Sequence, residues 1–113
     1  MKLVTAVIEP ENLDRVEEAL KEAGVTGLTI TKAQGFGHLG GEEKIWRGAK
    51  HVVDLKPKVR LEMVVAARED AERVVNILAA ATRGEKGDGG KVWVGDVDWV
   101  VNLRTGQMNL DAI

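Results

Sequence analysis

Hydrophobic residues follow two periods along the chain, and strand-like segments alternate with helix-like ones. The β-branched run at residues 2–9 predicts a first strand, which Pro10 ends. A helix is predicted next, beginning at Glu11 or Asn12 and ending at Gly24, which stands in the position of a C-terminal cap. The apolar stripe of this helix consists of Leu13, Val16, Ala19, Leu20 and Ala23.

The rest of the chain repeats this alternation. Residues 25–35 and 59–67 read as two further strands, residues 69–82 as a second helix, and residues 91–104 as a last strand. The second helix is expected to bury Ala71, Val74, Val75, Leu78 and Ala79. The last strand is expected to present one apolar face, while Asp96 and Asp98 point the other way. The residues of that face are Trp93, Val97, Trp99, Val101 and Leu103.

The order of elements is therefore β-α-β-β-α-β. This order predicts an α+β fold of the ferredoxin-like, split βαβ type, with an antiparallel sheet and two helices on one of its faces. The chain has 113 residues, which fits a single domain spanning 1–113. Many unrelated functions share this fold, so the function has to be sought in the connections between the elements.

Composition excludes several classes of protein. The chain has no Cys, which excludes disulfides, thiol catalysis and cysteine-ligated zinc, and its two His are too few for a histidine-rich metal site. The net charge of −2 counts against nucleic acid as a partner. No apolar run is long enough to span a bilayer, and the N-terminal segment lacks the features of a signal peptide. We therefore expect a cytoplasmic protein without a metal site or membrane insertion.

A long connection, GFGHLGGEEKIWRGAKHVVDLKP, separates the second and third strands from about Gly35 to Pro57. Such length is unusual inside a compact domain and indicates a functional segment. Charges of both signs around an aromatic residue suit the binding of a partner protein. The predicted partner-binding residues are Glu43, Lys44, Ile45, Trp46, Arg47 and His51. The structural alternative is a hairpin that extends as a long β-ribbon, on which Trp46 packs.

A second, glycine-rich connection, GEKGDGGK at residues 84–91, joins the second helix to the last strand. Glycines leave backbone N–H groups uncovered, and successive N–H groups form nests for phosphate oxygens. Lys86 and Lys91 add positive charge. The segment is not a Walker P-loop, because that motif joins a strand to a helix. The structural alternative is an ordinary helix end with Gly84 as its capping glycine.

Together these features resemble the PII nitrogen-regulatory signalling proteins over essentially the whole chain. Each motif is weak alone, but the combination, with its loop lengths, is specific. The motifs are the Leu13–Ala19–Leu20 helix, GVTGLT at 24–29, GFG at 35–37, WRGA at 46–49, VDLKPKVRLE at 53–62, GDG at 87–89, KVWV at 91–94, RTG at 104–106 and DAI at 111–113.

The resemblance implies a non-enzymatic homotrimer that binds ATP or ADP between subunits, with AMP as a third candidate. The long connection corresponds to the T-loop, residues 36–57, which docks onto a target such as a membrane transporter or an enzyme of nitrogen or related metabolism. Lys58 matches the residue that pairs with a carboxylate of 2-oxoglutarate. The positions that match the family's nucleotide site are Thr29, Gly35, Gly37, His38, Glu62, Val64, Gly87, Asp88, Gly89, Lys91 and Arg104.

Several T-loop positions depart from the family's pattern. His38 and Leu39 stand where the family has an Arg and a Gln, and that Gln bridges the metal and 2-oxoglutarate. Leucine offers no ligand atom to Mg²⁺, so the sequence counts against bound Mg²⁺ and against a 2-oxoglutarate response. His51 and Ala49 replace the tyrosine and the serine that relatives modify, which excludes uridylylation and phosphorylation at these two positions.

The phosphate side of the predicted site has also lost positive charge. Asn102 replaces one of two C-terminal arginines, His38 replaces another arginine, and the glycine-rich connection has an extra residue near Gly89–Gly90. A triphosphate carries more charge to balance than a diphosphate or a monophosphate. We therefore expect ATP to lose more affinity than ADP or AMP.

Two other functions stay open on the residues alone. A slow nucleotide hydrolase needs an acid–base set, for which the candidates are Glu62, Lys58, His38 and His51. A trimer of the same fold that binds a metal or another small effector, without sensing nucleotide, has its candidate ligands on the T-loop: His38, Glu42, Glu43 and His51.

Overall fold

The computed structural model describes residues 1–36, 55–83 and 90–113, together with the backbone of 45–46 and 49–50. Two short antiparallel strands, Ile45–Trp46 and Ala49–Lys50, pair with each other inside the long connection. The elements in chain order are β1 (Lys2–Ile8), a 3-10 turn (Pro10–Asn12), α1 (Leu13–Glu22), β2 (Thr29–Gly35), β3 (Ile45–Trp46), β4 (Ala49–Lys50), β5 (Lys56–Val65), α2 (Arg68–Thr82), β6 (Lys91–Asp96) and a second 3-10 turn (Asn109–Ala112).

The main sheet has the strand order β2-β5-β1-β6, and every neighbouring pair is antiparallel. α1 joins β1 to β2 across β5, and α2 joins β5 to β6 across β1. Each helix therefore connects two strands that have a third strand between them. This is the split βαβ arrangement, and it confirms the predicted fold class.

The core lies between the sheet and the two helices. Alternate residues of β1 and β5 point into it because side chains alternate across a strand. The buried core residues are Val4, Ala6, Ile8, Val16, Leu20, Val59, Leu61, Met63, Ala71, Val74 and Leu78. The predicted stripe of α1 is confirmed at its centre, whereas the stripe of α2 needs one correction. Ala79 is exposed, and Ile77 packs against the core instead, because the buried face follows Val74 and Leu78.

Local hydrogen bonds fix both helix boundaries that face the candidate site. Gly24 has a positive φ of 88° just after α1, and its N–H donates to the Lys21 carbonyl at 3.0 Å. A residue with a side chain adopts this conformation reluctantly, so the predicted capping role of Gly24 is confirmed. At the start of α2, the Asp70 carboxylate accepts the N–H of Ala67 at 3.1 Å.

The prediction that one strand runs from residue 91 to 104 is wrong at its second half. β6 ends at Asp96, which pairs with Lys2 at the first position of β1. The next N–H, of Val97, donates to the Met1 carbonyl at 3.1 Å, and there β1 offers no further partner. Beyond this point the chain turns back on itself, and a single bridge pairs Val101 with Met108.

Candidate functional site

A cleft of about 550 Å³ opens at the start of β2. It lies between residues 24–29, the last residues of β5 and the C-terminal residues of the chain. Its volume falls in the range of sites for small molecules. Three residues of the predicted nucleotide site line it together: Thr29, Glu62 and Val64.

The cleft exists because β2 begins later than its sequence suggests. Residues 25–28 were predicted as strand, but β2 starts at Thr29, and these four residues form a wall of the cleft. Val25 and Leu28 pack against the core, which holds the backbone of the wall in place. Arg73 of α2 also donates to the Ala23 carbonyl at 2.8 Å and ties α2 to the start of this wall.

The lining of the cleft combines apolar walls with a few polar groups. Thr29 and Glu62 are register partners on β2 and β5, so their side chains lie on the same face of the sheet. Glu62 forms an ion pair with Arg60 at 3.1 Å, and both side chains are partly exposed. Apolar surface with a few hydroxyl and carboxylate groups suits a flat heterocycle that has polar atoms on its edge.

A second group of predicted residues lies at the opposite end of the sheet. Gly35 ends β2, six residues beyond Thr29, which places it roughly 20 Å from the cleft at the rise of a β-strand. Lys91 begins β6 and pairs with Val7, also away from the cleft. Apart from Arg104, the predicted nucleotide residues that the structure describes therefore lie in two separate groups within one copy of the chain.

Backbone packs closely against backbone at this second end. Gly90 has a φ of 87°, and a Cβ atom built on it would lie 2.3 Å from the Val7 carbonyl oxygen. Only glycine fits such an approach. Gly90, which directly precedes the first residue of β6, is thereby fixed against β1.

Lys58 lies at the same end and is already engaged. Its Nζ donates to Oε1 of Glu9, and both side chains are nearly buried, at 9% and 15% exposure. A Cβ atom added at Gly35 would lie 3.7 Å from Cγ of Lys58, so the lysine stem runs beneath Gly35. Sequence reasoning missed Glu9, since nothing in the pattern of residues pairs a glutamate with a lysine 49 positions away.

Arg104 lies in neither group. It is exposed in the turn between Val101 and Met108, where the Oδ1 atom of Asn102 accepts the N–H groups of Arg104 and Thr105 at 2.9 and 3.1 Å. Gly106 completes the turn with a φ of 74°. Asn102, which was interpreted only as a lost arginine, thus has a structural role, since asparagine side chains commonly accept the N–H groups of the residues that follow them in a turn.

The other predicted site residues lie outside the described residues. For Ile45 and Trp46 the structure gives the backbone position in β3 alone. The masked positions are Gly37, His38, Leu39, Glu42, Glu43, Lys44, Arg47 and His51 of the T-loop and Gly84, Lys86, Gly87, Asp88 and Gly89 of the glycine-rich connection. Both T-loop alternatives, the extended ribbon and the metal site, and the capping alternative for Gly84 fall on these positions.

The acid–base set that a hydrolase needs does not assemble among the described residues. Glu62 and Lys58 stand four residues apart on the same strand, roughly 13 Å along β5. Each has a different partner, since Glu62 pairs with Arg60 and Lys58 pairs with Glu9.

The described part of the chain contains neither a metal-binding cluster nor a membrane-spanning helix. No three His, Asp or Glu side chains there come together in a way that could hold a metal ion. In the same residues, neither α1 nor α2 has the length and apolar character that crossing a membrane requires.

Comparison with known proteins decides the family. The sequence model of the family described as Nitrogen regulatory protein P-II matches residues 1–107, which is nearly the whole chain. The chain belongs to the P-II family. A protein named Nitrogen regulatory protein P-II from Rhizobium meliloti (strain 1021) is 48% identical over 114 residues, and the match covers all of both chains.

Further P-II proteins agree with this assignment. Proteins of the same name from Azospirillum brasilense and from Pasteurella multocida (strain Pm70) are 44% and 42% identical over 113 residues, again with full coverage of both chains. These P-II relatives are named as regulatory proteins rather than enzymes, which supports the interpretation that this chain is not an enzyme. The resemblance inferred from the motifs is confirmed.

Proposed function

We propose that the chain is a homotrimeric signalling protein that binds an adenine nucleotide, ATP or ADP, between its subunits and regulates a target protein through the T-loop. The observation that carries this proposal is the separation of the predicted nucleotide residues into two groups at opposite ends of the sheet. Membership of the P-II family supports the regulatory role, and a cytoplasmic location is part of the same proposal.

The cleft supplies the proposed base and ribose side of the site. Thr29, Glu62 and Val64 line it, and its apolar walls provide a surface for the faces of an adenine ring. A hydroxyl and a carboxylate are the groups that hydrogen-bond to the polar edge of a purine and to a ribose.

The opposite end of the sheet supplies the proposed phosphate side. Lys91 provides a cation, and the glycine-rich connection that precedes it ends at Gly90, which is held against the carbonyl of Val7. Backbone N–H groups and a lysine are the donors that bind phosphate oxygens. Because the two sides lie roughly 20 Å apart in one chain, a complete site needs the cleft of one copy and the glycine-rich connection of another.

An apolar surface on the single chain supports assembly with further copies. Trp93, Trp99 and Leu103 are 50%, 66% and 98% exposed. Other exposed large apolar residues come from the same part of the chain: Val94, Val101, Met108, Leu110 and Ile113. Exposed apolar residues concentrated in one part of the chain are typical of an interface. A ring of three copies would cover them while bringing unlike ends of neighbouring sheets together.

The T-loop is anchored beside the proposed phosphate side. It leaves the sheet at Gly35 and returns at Lys56, and these two residues are register partners on β2 and β5. The glycine-rich connection meets the sheet at this same end, so a phosphate ligand there would lie on the end from which the loop leaves. Ligands that favour one loop arrangement over another shift the population that a target protein recognises.

The proposal includes a preference for ADP over ATP and no response to 2-oxoglutarate. Leu39, in place of a metal-bridging glutamine, and the lost cations near the phosphates support both parts. The described residues add one further support, which is the engagement of Lys58 by Glu9.

The experiment that tests the proposal is calorimetric titration with ATP and with ADP, each with and without Mg²⁺. Micromolar binding is expected for the wild-type chain, and Lys91→Ala should weaken it by about one hundredfold, since a charge-assisted hydrogen bond is worth up to about 3 kcal/mol. Lys32→Ala is the matched control, because Lys32 is an exposed lysine on β2 that belongs to neither side of the site. Absence of nucleotide binding in the wild-type chain contradicts the proposal.

A further inference from the structure

The wall of the cleft leaves α1 through two hydrogen bonds at the end of that helix. The N–H of Gly24 donates to the Lys21 carbonyl, and the N–H of Val25 donates to the Leu20 carbonyl, both at 3.0 Å. Together with the positive φ of Gly24, this pair of bonds forms a Schellman motif. The motif leaves the carbonyl of Ala23, directly before the wall, to find its partner outside α1.

Arg73 of α2 supplies that partner. Its Nη1 atom donates to the Ala23 carbonyl oxygen at 2.8 Å, across 50 positions of the chain. Arg73 is exposed, but the next residue, Val74, is buried in the core and holds this part of α2 in place. A cation at the C-terminal end of a helix also interacts favourably with the helix dipole. The arginine therefore ties the start of the wall to the rigid part of the fold.

The middle of the wall has few ties of its own before β2 begins at Thr29. The side chains of Val25 and Leu28 pack against the core. Between these two anchors, no hydrogen bond among the described residues holds the backbone of Thr26 or Gly27. A Cβ atom built on Gly27 meets no atom of another part of the chain within 4 Å, so this backbone lies open to the cleft. Its N–H and carbonyl groups are available to the polar edge of a ligand.

Open backbone groups bind a ligand well only if they are already in position. A segment that becomes ordered on binding lowers the affinity, because the entropy lost in ordering it opposes the binding free energy. A binding site therefore needs groups outside it that hold it within about 0.5 Å of its productive geometry. An arginine bonded to Ala23, the residue directly before the wall, meets this need from α2.

We propose that Arg73 is a positioning residue for the cleft: through its hydrogen bond to Ala23 it holds residues 24–29 in the arrangement that binds the base and ribose of the nucleotide. It acts through the backbone of the wall, so its removal should loosen the wall. This inference deepens the proposed function and rests on it, because it assigns a residue that shapes the proposed base and ribose side.

The test compares Arg73→Met, Arg73→Lys and Arg68→Met with the wild-type chain. Methionine keeps an unbranched apolar side chain but cannot donate a hydrogen bond, whereas lysine keeps a cation and donors. Arg68→Met is the matched control, because Arg68 is an exposed arginine on the same helix that pairs with Glu72 at 3.2 Å and does not line the cleft. Amide hydrogen exchange of the free protein and calorimetric titration with ADP are measured for each chain.

The bonded amides of Gly24 and Val25 report on the wall directly, since they exchange when the end of α1 opens. In Arg73→Met both amides should exchange at least fivefold faster than in the wild-type chain. The same variant should bind ADP about fivefold more weakly, as expected for the loss of one hydrogen bond. Arg73→Lys should recover most of both losses, and Arg68→Met should match the wild-type chain.

Three outcomes overturn the proposal. In the first, a folded Arg73→Met exchanges the amides of Gly24 and Val25 as slowly as the wild-type chain does and binds ADP equally well. In the second, these amides exchange faster but the affinity for ADP is unchanged. In the third, ADP binds more weakly at unchanged exchange, which would make Arg73 a direct contact of the nucleotide. If Arg73→Met does not fold, Arg73→Ala replaces it under the same criteria.

The proposed function and this inference fail in different ways. A wild-type chain that does not bind ADP contradicts the nucleotide site, and the inference falls with it. If the wild-type chain binds ADP and Arg73→Met binds it equally well, the inference alone is contradicted.

Discussion

The two ends of the sheet differ in what they bury. At the start of β2 the sheet ends in an open cleft with apolar walls, and the charges around it, such as Glu62 and Arg60, are partly exposed. At the far end of β2 the sheet ends in a nearly buried ion pair and a glycine packed against the carbonyl of Val7. The first end is shaped to admit a ligand, and the second is shaped to hold backbone and charge in fixed positions.

This difference supports the proposal that neither end alone is a complete nucleotide site. A base needs apolar faces, which the cleft provides, and a polyphosphate needs fixed donors, which the other end provides. The apolar cleft and the fixed donors lie roughly 20 Å apart within one copy of the chain. In the proposed trimer, two neighbouring copies would bring the two features together, so damage to either end alone should impair binding.

The largest expected effect is on the ion pair of the loop end. Glu9→Ala removes the carboxylate that pairs with the nearly buried Lys58 and should lower the free energy of unfolding by about 3–5 kcal/mol. Glu17→Ala removes the carboxylate of an exposed pair on α1 and should cost about 0.5 kcal/mol or less. Urea unfolding of both variants at one protein concentration measures the difference. Equal losses would show that burial does not distinguish the two pairs.

The next effect concerns the glycine at the same end. Gly90→Ala places a Cβ atom 2.3 Å from the Val7 carbonyl oxygen at a positive φ, and it should lower the free energy of unfolding by about 2–3 kcal/mol. Gly27→Ala, in the wall of the cleft, meets no atom within 4 Å and should change stability by less than about 0.5 kcal/mol. Thermal melts of both variants measure this contrast. A stable Gly90→Ala would mean that the close approach is not required.

A smaller effect is expected at the cleft end, and on binding rather than stability. Thr29→Val removes a hydroxyl from the cleft and should weaken ADP binding about fivefold, the equivalent of about 1 kcal/mol for one hydrogen bond. Thr31→Val is the control, since Thr31 is exposed on the same strand and the same face but does not line the cleft. Calorimetric titration with ADP measures both variants. Equal weakening in the two would remove the cleft from the site.

The smallest effect lies at the end of β6, in the exposed ion pair between Lys2 and Asp96. Lys2 donates a hydrogen bond to Asp96 and attracts its charge, which holds the pKa of that carboxyl below its usual value. A lowered pKa in the folded chain contributes stability above the ordinary carboxyl pKa and loses it as the pH falls through the lowered value. Asp96→Asn should therefore be slightly less stable than the wild-type chain at neutral pH.

That small difference should shrink in acid. Urea unfolding of the wild-type chain and Asp96→Asn at neutral pH and below pH about 3 measures it. The effect is small because the pair is exposed to solvent and screened by salt. A difference that grows in acid has the wrong sign for a lowered pKa and would contradict the assignment.

Local patterns predicted the fold because its elements obey local rules. The stripe of α1 and the capping by Gly24 depend on residues at most a few positions apart, and both are confirmed. The end of the last strand did not follow the pattern. The apolar alternation continues through Trp99 and Leu103, but a strand needs a hydrogen-bonded neighbour. β1 begins at Lys2, which pairs with Asp96, so the chain beyond Asp96 has no further residue of β1 to pair with.

The site was predictable only where a family motif marked it. Thr29, Glu62 and Val64 were singled out by resemblance, and the structure places them in one cleft. Their distance from Gly35 became visible only through the register of β2 and β5. Glu9 could not be found from the sequence, because its partner is 49 residues away and only the fold brings the two together.

The most direct test of the account mixes two inactive variants. Glu62→Ala damages the cleft end and Lys91→Ala damages the loop end, so each variant alone should bind ADP poorly. If every site takes one end from each of two copies, co-refolding the two variants in equal amounts should restore some of the sites. Each end of a site then comes from either variant with equal chance, so about a quarter of the sites should have two intact ends, contributed by different chains. Recovery of such tight sites in calorimetry is the predicted result. A mixture that binds no better than its components would place both ends of the site in one copy and contradict the account.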